Sequence, residues 1–158
     1  MLFDYLSDNG FVQNQADHCV YTKHTANNRV ILVIWVDDLI IATSEDSLMD
    51  NMLKAKFKMR DMGTLKHFLS IDFTQTDGEI KVNQKRHITK ILEKFGMSEC
   101  GTRCTPCEQK LNFESESELV DPRLYRELIG SLIYLMMCTR PDISWVVSKL
   151  SQYLSQPR

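Results

Sequence analysis

A chain of 158 residues with 43% apolar and 25% charged residues is long enough to bury a core and too apolar for a disordered segment. Its formal charge of −2 by itself points to no nucleic-acid partner. The longest apolar runs fall far short of the ~18 residues of a membrane span, and no cationic stretch leads into an apolar one at the start, so an intracellular protein is expected.

The opening MLFDYLSDNGF reads as the end of a short helix stopped at Asn9-Gly10. After a loop, VQNQAD, the segment HCVYTKH reads as a strand and Asn27-Asn28 as the turn that follows it. Next comes VILVIWVDDLIIAT, residues 30–43, an apolar, β-branched run with two adjacent aspartates at its centre. The pattern predicts two strands buried on both faces, with Asp37 and Asp38 at the tip of a hairpin. Two-residue hairpin turns favour glycine because their central residues need positive φ, and Asp-Asp supplies none. Two carboxylates held side by side repel unless a cation accompanies them, which points to Mg²⁺ or Mn²⁺. Spacing alone leaves a second reading open, an ordinary solvated acidic turn.

Residues 44–59 are expected to form a helix capped by Thr43 or Ser44. Acidic Glu45 and Asp46 stand in its first turn, Lys54, Lys56 and Lys58 toward its end, and Leu48, Met52, Leu53 and Ala55 on its packing face. LKHFLSIDFTQTDGEIKVNQ alternates on both sides of Asp77-Gly78, a strong hairpin signal. In QKRHITKILEKFG, Ile88, Ile91, Leu92 and Phe95 recur at helical spacing, Gly96 ends the helix, and Lys85, Arg86 and Lys94 fall on other faces. From Lys54 to Lys110 there are twelve Lys and Arg against seven Asp and Glu, so the total of −2 hides a basic central third. Such asymmetry suits a polyanion-binding surface beside an acidic metal site, and equally a solvated basic helix face.

Residues 98–120 read as a long irregular connection and a candidate boundary. Cys100, Cys104 and Cys107 lie close together there, but with only His87 near as a fourth ligand they are expected to be free thiols rather than a zinc site. Asp121-Pro122 caps a helix, RLYRELIGSLIYLMMC, apolar on most faces and therefore expected to be buried. Arg140-Pro141-Asp142 interrupts it and starts another helix with Ile143, Val146, Val147 and Leu150 on one side. The fold class is α+β. His18, His24, His67 and His87 form no nucleophile arrangement, there is no Gly-rich phosphate loop, and a metal-dependent phosphohydrolase would need more ligands than the Asp-Asp tip offers.

Taken in order, WVDDLIIA, GTLKHFLSIDF, QKRHITKILEKFGM, CTP and YRELIGSLIYLMMCTRPDISWVVSKLSQYLS resemble the copia-type reverse transcriptase of LTR retrotransposons, from about Gly10 to Gln156. The resemblance implies an RNA-directed DNA polymerase. Residues 1–80 would be part of the palm, built of antiparallel hairpins with a packed helix. Residues 81–120 would be a thumb-like helix and linker, and 121–158 a helical hairpin leading toward a ribonuclease H domain. It further implies two-metal nucleotidyl transfer with Mg²⁺ or Mn²⁺, Asp37 as the direct ligand and Asp38 as its support. Trp35 and Val36 would lie beside the primer end, Lys66 and His67 in the primer-gripping hairpin, and Lys85, Arg86 and Lys94 along the duplex. The implied partners are a template–primer duplex and a deoxynucleotide, and the implied setting of the parent element is the cytoplasm or a virus-like particle.

Two positions depart from the family pattern: Trp35 stands where tyrosine is usual, and Ser70 where glycine is usual. The family's third catalytic carboxylate belongs to an upstream segment reading roughly Asp-Val followed by Ala-Phe-Leu, which does not occur among these 158 residues. Asp4, Asp8 and Asp17 lack that context. The fingers and the ribonuclease H domain are not found either. The 158-residue polypeptide is therefore expected to have little or no polymerase activity and, with an open sheet edge, to be prone to association. The alternative is a non-catalytic nucleic-acid-binding remnant or a co-opted interaction domain.

Overall fold

A computed structural model describes residues 2–25, 28–44, 52–107 and 118–157. They fall into two compact units, Met1–Thr64 and Leu65–Arg158.

The first unit opens with helix α1 (Leu2–Asp8). Gly10 stops it in the left-handed region at φ 79°, where a glycine carries no Cβ penalty, and the Phe11 N–H closes back on the Leu6 carbonyl at 3.0 Å. Four strands follow in the order β1 (Val12–Gln13), β2 (Val20–His24), β3 (Arg29–Trp35) and β4 (Asp38–Thr43), each antiparallel to its neighbour. Side chains alternate across a strand, so β3 sends Val30, Leu32 and Ile34 into a core with Leu6, Phe11, Tyr21 and Leu53. Burying a side chain of this size stabilises by about 1.5–3 kcal/mol. Leu53 arrives on a helical stretch, residues 52–56, which the Tyr5 hydroxyl joins to α1 by donating to the Met52 carbonyl at 3.1 Å.

Three expectations change here. Strand β1 lies in the segment read as a loop, because Val12 and Gln13 pair with Thr22 and Tyr21. The central strands are not buried on both faces: Ile31 and Val33 are half-buried, since α1 and residues 52–56 supply core to one side of β3. The helix expected over 44–59 is helical at 52–56 and irregular from 58 onward, and its residues 45–51 lie outside the described residues. Asn27 of the expected turn also lies outside them.

The second unit pairs β5 (His67–Phe68), β6 (Ile71–Thr76) and β7 (Glu79–Asn83) into an antiparallel sheet in that order. The β6–β7 turn is Asp77-Gly78, as its sequence predicts. Helix α2 (Lys85–Lys94) follows at once. Helix α3 (Pro122–Cys138) begins with proline at its first position, and the Asp121 carboxylate accepts from the Arg123 N–H at 2.8 Å, satisfying one orphan donor. A 3-10 turn at Pro141–Ile143 leads to α4 (Ser144–Leu150). Ile91, Ile129, Leu135 and Val147 are buried, one or two from each helix. Tyr125 donates to the Leu150 carbonyl at 2.9 Å, and Lys94 of α2 forms an ion pair with Glu127 of α3.

Contrary to the expectation from its composition, α3 is not buried on most faces. Ile129 and Leu135 face the neighbouring helices, whereas Leu124, Ile133 and Met137 are exposed, because α2 and α4 cover one stripe of it. Among the described residues no helix is long and apolar enough to cross a membrane, and all five cysteines are unbridged.

Candidate functional site

The Asp-Asp pair sits where β3 turns into β4. Trp35 pairs with Asp38, so the two-residue loop is Val36-Asp37, one position earlier than the aspartates alone suggested. Val36 carries φ 54° while Asp37 does not have positive φ. Positive φ at the first loop position only is the arrangement of a type II′ turn, which normally places glycine there. A β-branched residue in that region is a true outlier, and such strain persists only where the surroundings impose it. Here the six-residue β3–β4 pairing from Val30↔Thr43 to Trp35↔Asp38 imposes it. Trp35 is 50% and Val36 84% exposed, so the tip presents an aromatic ring, an aliphatic side chain and two carboxylates to solvent. Neither carboxylate has a hydrogen bond or ion pair among the described residues.

Two adjacent carboxylates are hard-oxygen donors of the type Mg²⁺ and Mn²⁺ take. Mg²⁺ commonly binds through one or two carboxylates and fills its octahedron with water and substrate phosphates, so the donor set fits one such ion. No group of three His, Cys, Asp or Glu able to hold a metal exists among the described residues.

In the second unit, the turn between β5 and β6 is Leu69-Ser70, with φ 48° and 63°. Positive φ at both central positions is a type I′ turn, the conformation that favours Asn-Gly. The serine at position 70 therefore occupies a glycine conformation. The Tyr134 hydroxyl of α3 donates to the Leu69 carbonyl and holds this turn from behind. The same ring meets His87 edge-on, with centroids 5.4 Å apart.

His67 and Asp72 face each other across the β5–β6 pair, and Arg86 from the first turn of α2 reaches the same carboxylate. His67 Nδ1 lies 3.0 Å and Arg86 Nε 2.9 Å from Asp72 Oδ1. The hydrogen bond from Arg86 holds the Asp72 carboxyl below its ordinary value, with His67 adding to the effect, and raises the guanidinium in turn. Two of the expected nucleic-acid residues are thus joined through an aspartate that sequence reasoning passed over. The His67↔Asp72 cross-strand register was the signal that could have found it. Lys66 and Lys85 are exposed, and Lys94 is paired with Glu127.

Residues 1–109 match the family described as reverse transcriptase (RNA-dependent DNA polymerase). The chain belongs to this reverse transcriptase family. It is 32% identical over 161 residues to the retrovirus-related Pol polyprotein from transposon RE1 of Arabidopsis thaliana, covering 99% of this chain and 11% of that protein. It is 29% identical to the corresponding polyprotein from transposon TNT 1-94 of Nicotiana tabacum, covering 99% of this chain and 13% of that protein. A putative transposon Ty5-1 protein of Saccharomyces cerevisiae is 30% identical, with 94% of this chain and 50% of that protein covered. This reverse transcriptase chain therefore spans about a tenth of the length of the copia-type Pol polyproteins it matches, and half of the yeast protein. No solved structure matches it.

Proposed function

We propose that this chain is part of an RNA-directed DNA polymerase of a copia-type retrotransposon. In this reading residues 1–80 carry part of the palm, 81–120 a thumb-like helix and linker, and 121–158 a helical hairpin toward a ribonuclease H domain. The observation that carries the reading is the strained Val36-Asp37 turn, which presents two carboxylates beside an exposed Trp35 in a chain of this family.

The reaction is attack of a primer 3′-oxygen on the α-phosphorus of a deoxynucleotide, with the bond to pyrophosphate breaking. The chemistry supplied by bound Mg²⁺ is activation of that hydroxyl and neutralisation of charge on the leaving group. Asp37 offers the direct ligand and Asp38 the supporting one. Trp35 and Val36 give the primer end an apolar platform. Lys66 and His67 grip the primer strand, while Lys85, Arg86 and Lys94 contact phosphates, which positions a duplex without reading its sequence. Asp72 fixes the orientation of Arg86 for that task. The parent element would act in the cytoplasm or in a virus-like particle, on a template–primer and a deoxynucleotide.

Two carboxylates hold two ions poorly, so the 158-residue polypeptide is expected to bind an RNA/DNA hybrid without extending it. That makes a non-catalytic nucleic-acid-binding role the second reading, favoured by the lack of a three-ligand group among the described residues. Primer extension on an RNA template, comparing the chain with Asp37→Asn, tests this. The expected result is salt-sensitive hybrid binding and no incorporation by either form. Incorporation that disappears in Asp37→Asn would show that the site is complete, and failure to bind the hybrid at low salt would remove the polymerase reading for these residues.

A further inference from the structure

Strand β7 (Glu79–Asn83) is an edge of the second sheet, and all five of its residues are exposed. Side chains alternate, so Glu79 and Lys81 share one face, while Ile80 and Val82, 67% and 50% exposed, share the other. The backbone is open in a definite pattern. The two-residue turn Asp77-Gly78 is closed by Thr76 and Glu79, a pair that exchanges hydrogen bonds, and such pairs alternate along an antiparallel ladder. Gln75↔Ile80 and Phe73↔Val82 are therefore pairs without them. The Phe73 N–H agrees, since it donates the other way, to the Lys66 carbonyl at 2.9 Å. The N–H and C=O of Ile80 and of Val82 thus point away from β6, where a further strand could add.

Charge selects that strand. A lysine on an edge normally opposes pairing, but Lys81 is balanced by Glu79, with Nζ 3.1 Å from Oε2. When a second β7 is laid antiparallel with Ile80 opposite Ile80, Glu79 of each copy faces Lys81 of the other. Both such contacts are attractive, and the outward Ile80 groups of the two copies meet. Centring the pair on Lys81 instead sets lysine against lysine, and centring it on Val82 sets Lys81 against Asn83. The other long edge, β4 (Asp38–Thr43), carries Asp38 as its one charge and offers no such match.

We propose that a second copy of this chain adds to the sheet along β7, antiparallel and about a two-fold axis at Ile80. The pairing does not rest on the polymerase reading, and β5 with His67 lies at the opposite edge of the sheet. The test is sedimentation of the 158-residue chain from about 1 μM to about 1 mM, with amide hydrogen exchange at both ends of that range. The expected result is a monomer–dimer equilibrium. In it the Ile80 and Val82 amides exchange slowly only in the dimer, whereas the Lys81 amide, bonded to β6, is protected throughout. Glu79→Lys and Lys81→Glu should each weaken association about 10-fold, because two attractive cross-strand contacts become repulsive, and an equimolar mixture of the two variants should restore it. Ile80→Pro removes an outward N–H that the β6 ladder does not use, and should abolish the dimer with the circular dichroism of the monomer retained. A chain that stays monomeric throughout overturns the proposal, as does a dimer indifferent to these variants or a mixture that fails to recover. Protection of Leu39 and Ile41 in place of Ile80 and Val82 would assign the interface to β4 and overturn it too.

Discussion

Among the described residues three that are not glycine, Val36, Leu69 and Ser70, adopt conformations that suit glycine, and they lie in the two turns where the proposed contacts are centred. Val36 at φ 54° is solvent-exposed, so its side chain contributes little burial to offset the strain of a β-branched residue in the left-handed region. Val36→Gly is expected to stabilise the first unit by about 1 kcal/mol in urea unfolding, while removing the apolar surface proposed to meet the primer end. A destabilisation would mean that the valine makes contacts the strained turn needs. At Ser70, φ 63° is a conformation that favours glycine, and Ser70→Gly should likewise raise stability by roughly 1 kcal/mol. Neither conformation could be read from the sequence alone. The Asp-Asp pair drew attention to the right hairpin, but the loop position depends on the β3–β4 register, and that is fixed by which face of β3 is buried.

At the scale of elements, the strong local signals were legible: Gly10 ending α1, Asp77-Gly78 turning β6 into β7, the 3.6-residue period of α2, and Asp121-Pro122 starting α3. What stayed hidden depends on partners distant in sequence. The exposure of one face of α3 follows from how few elements cover it, and Gln84 is buried because Thr139, 55 residues away, closes over it. Thr139→Val should destabilise the second unit by about 1–3 kcal/mol by leaving the Gln84 amide without its remaining partner, measured by thermal unfolding against wild type. The His67–Asp72–Arg86 cluster links the sheet to α2 and gives a pH prediction. Asp72 is held below its ordinary value chiefly by Arg86, so its contribution is fully present at neutral pH, begins to fade below about pH 4 and is lost as pH falls through the folded value. Arg86→Gln should therefore flatten the acid limb of a stability–pH curve. An unchanged limb would show that the cluster does not couple to folding.

At the scale of the whole molecule, family membership rests on a match over residues 1–109, while the metal-binding and duplex-contacting roles of single residues are proposals. The β3–β4 tip is proposed to be a metal-binding element of a polymerase. Paramagnetic broadening of ¹⁵N amide signals by Mn²⁺, measured on the chain and on Asp37→Asn, tests it most directly. The expected result is selective broadening of residues around Trp35 to Leu39 that competes with Mg²⁺ and is lost in the variant. Broadening centred elsewhere, or a tip signal indifferent to Asp37→Asn, would contradict it.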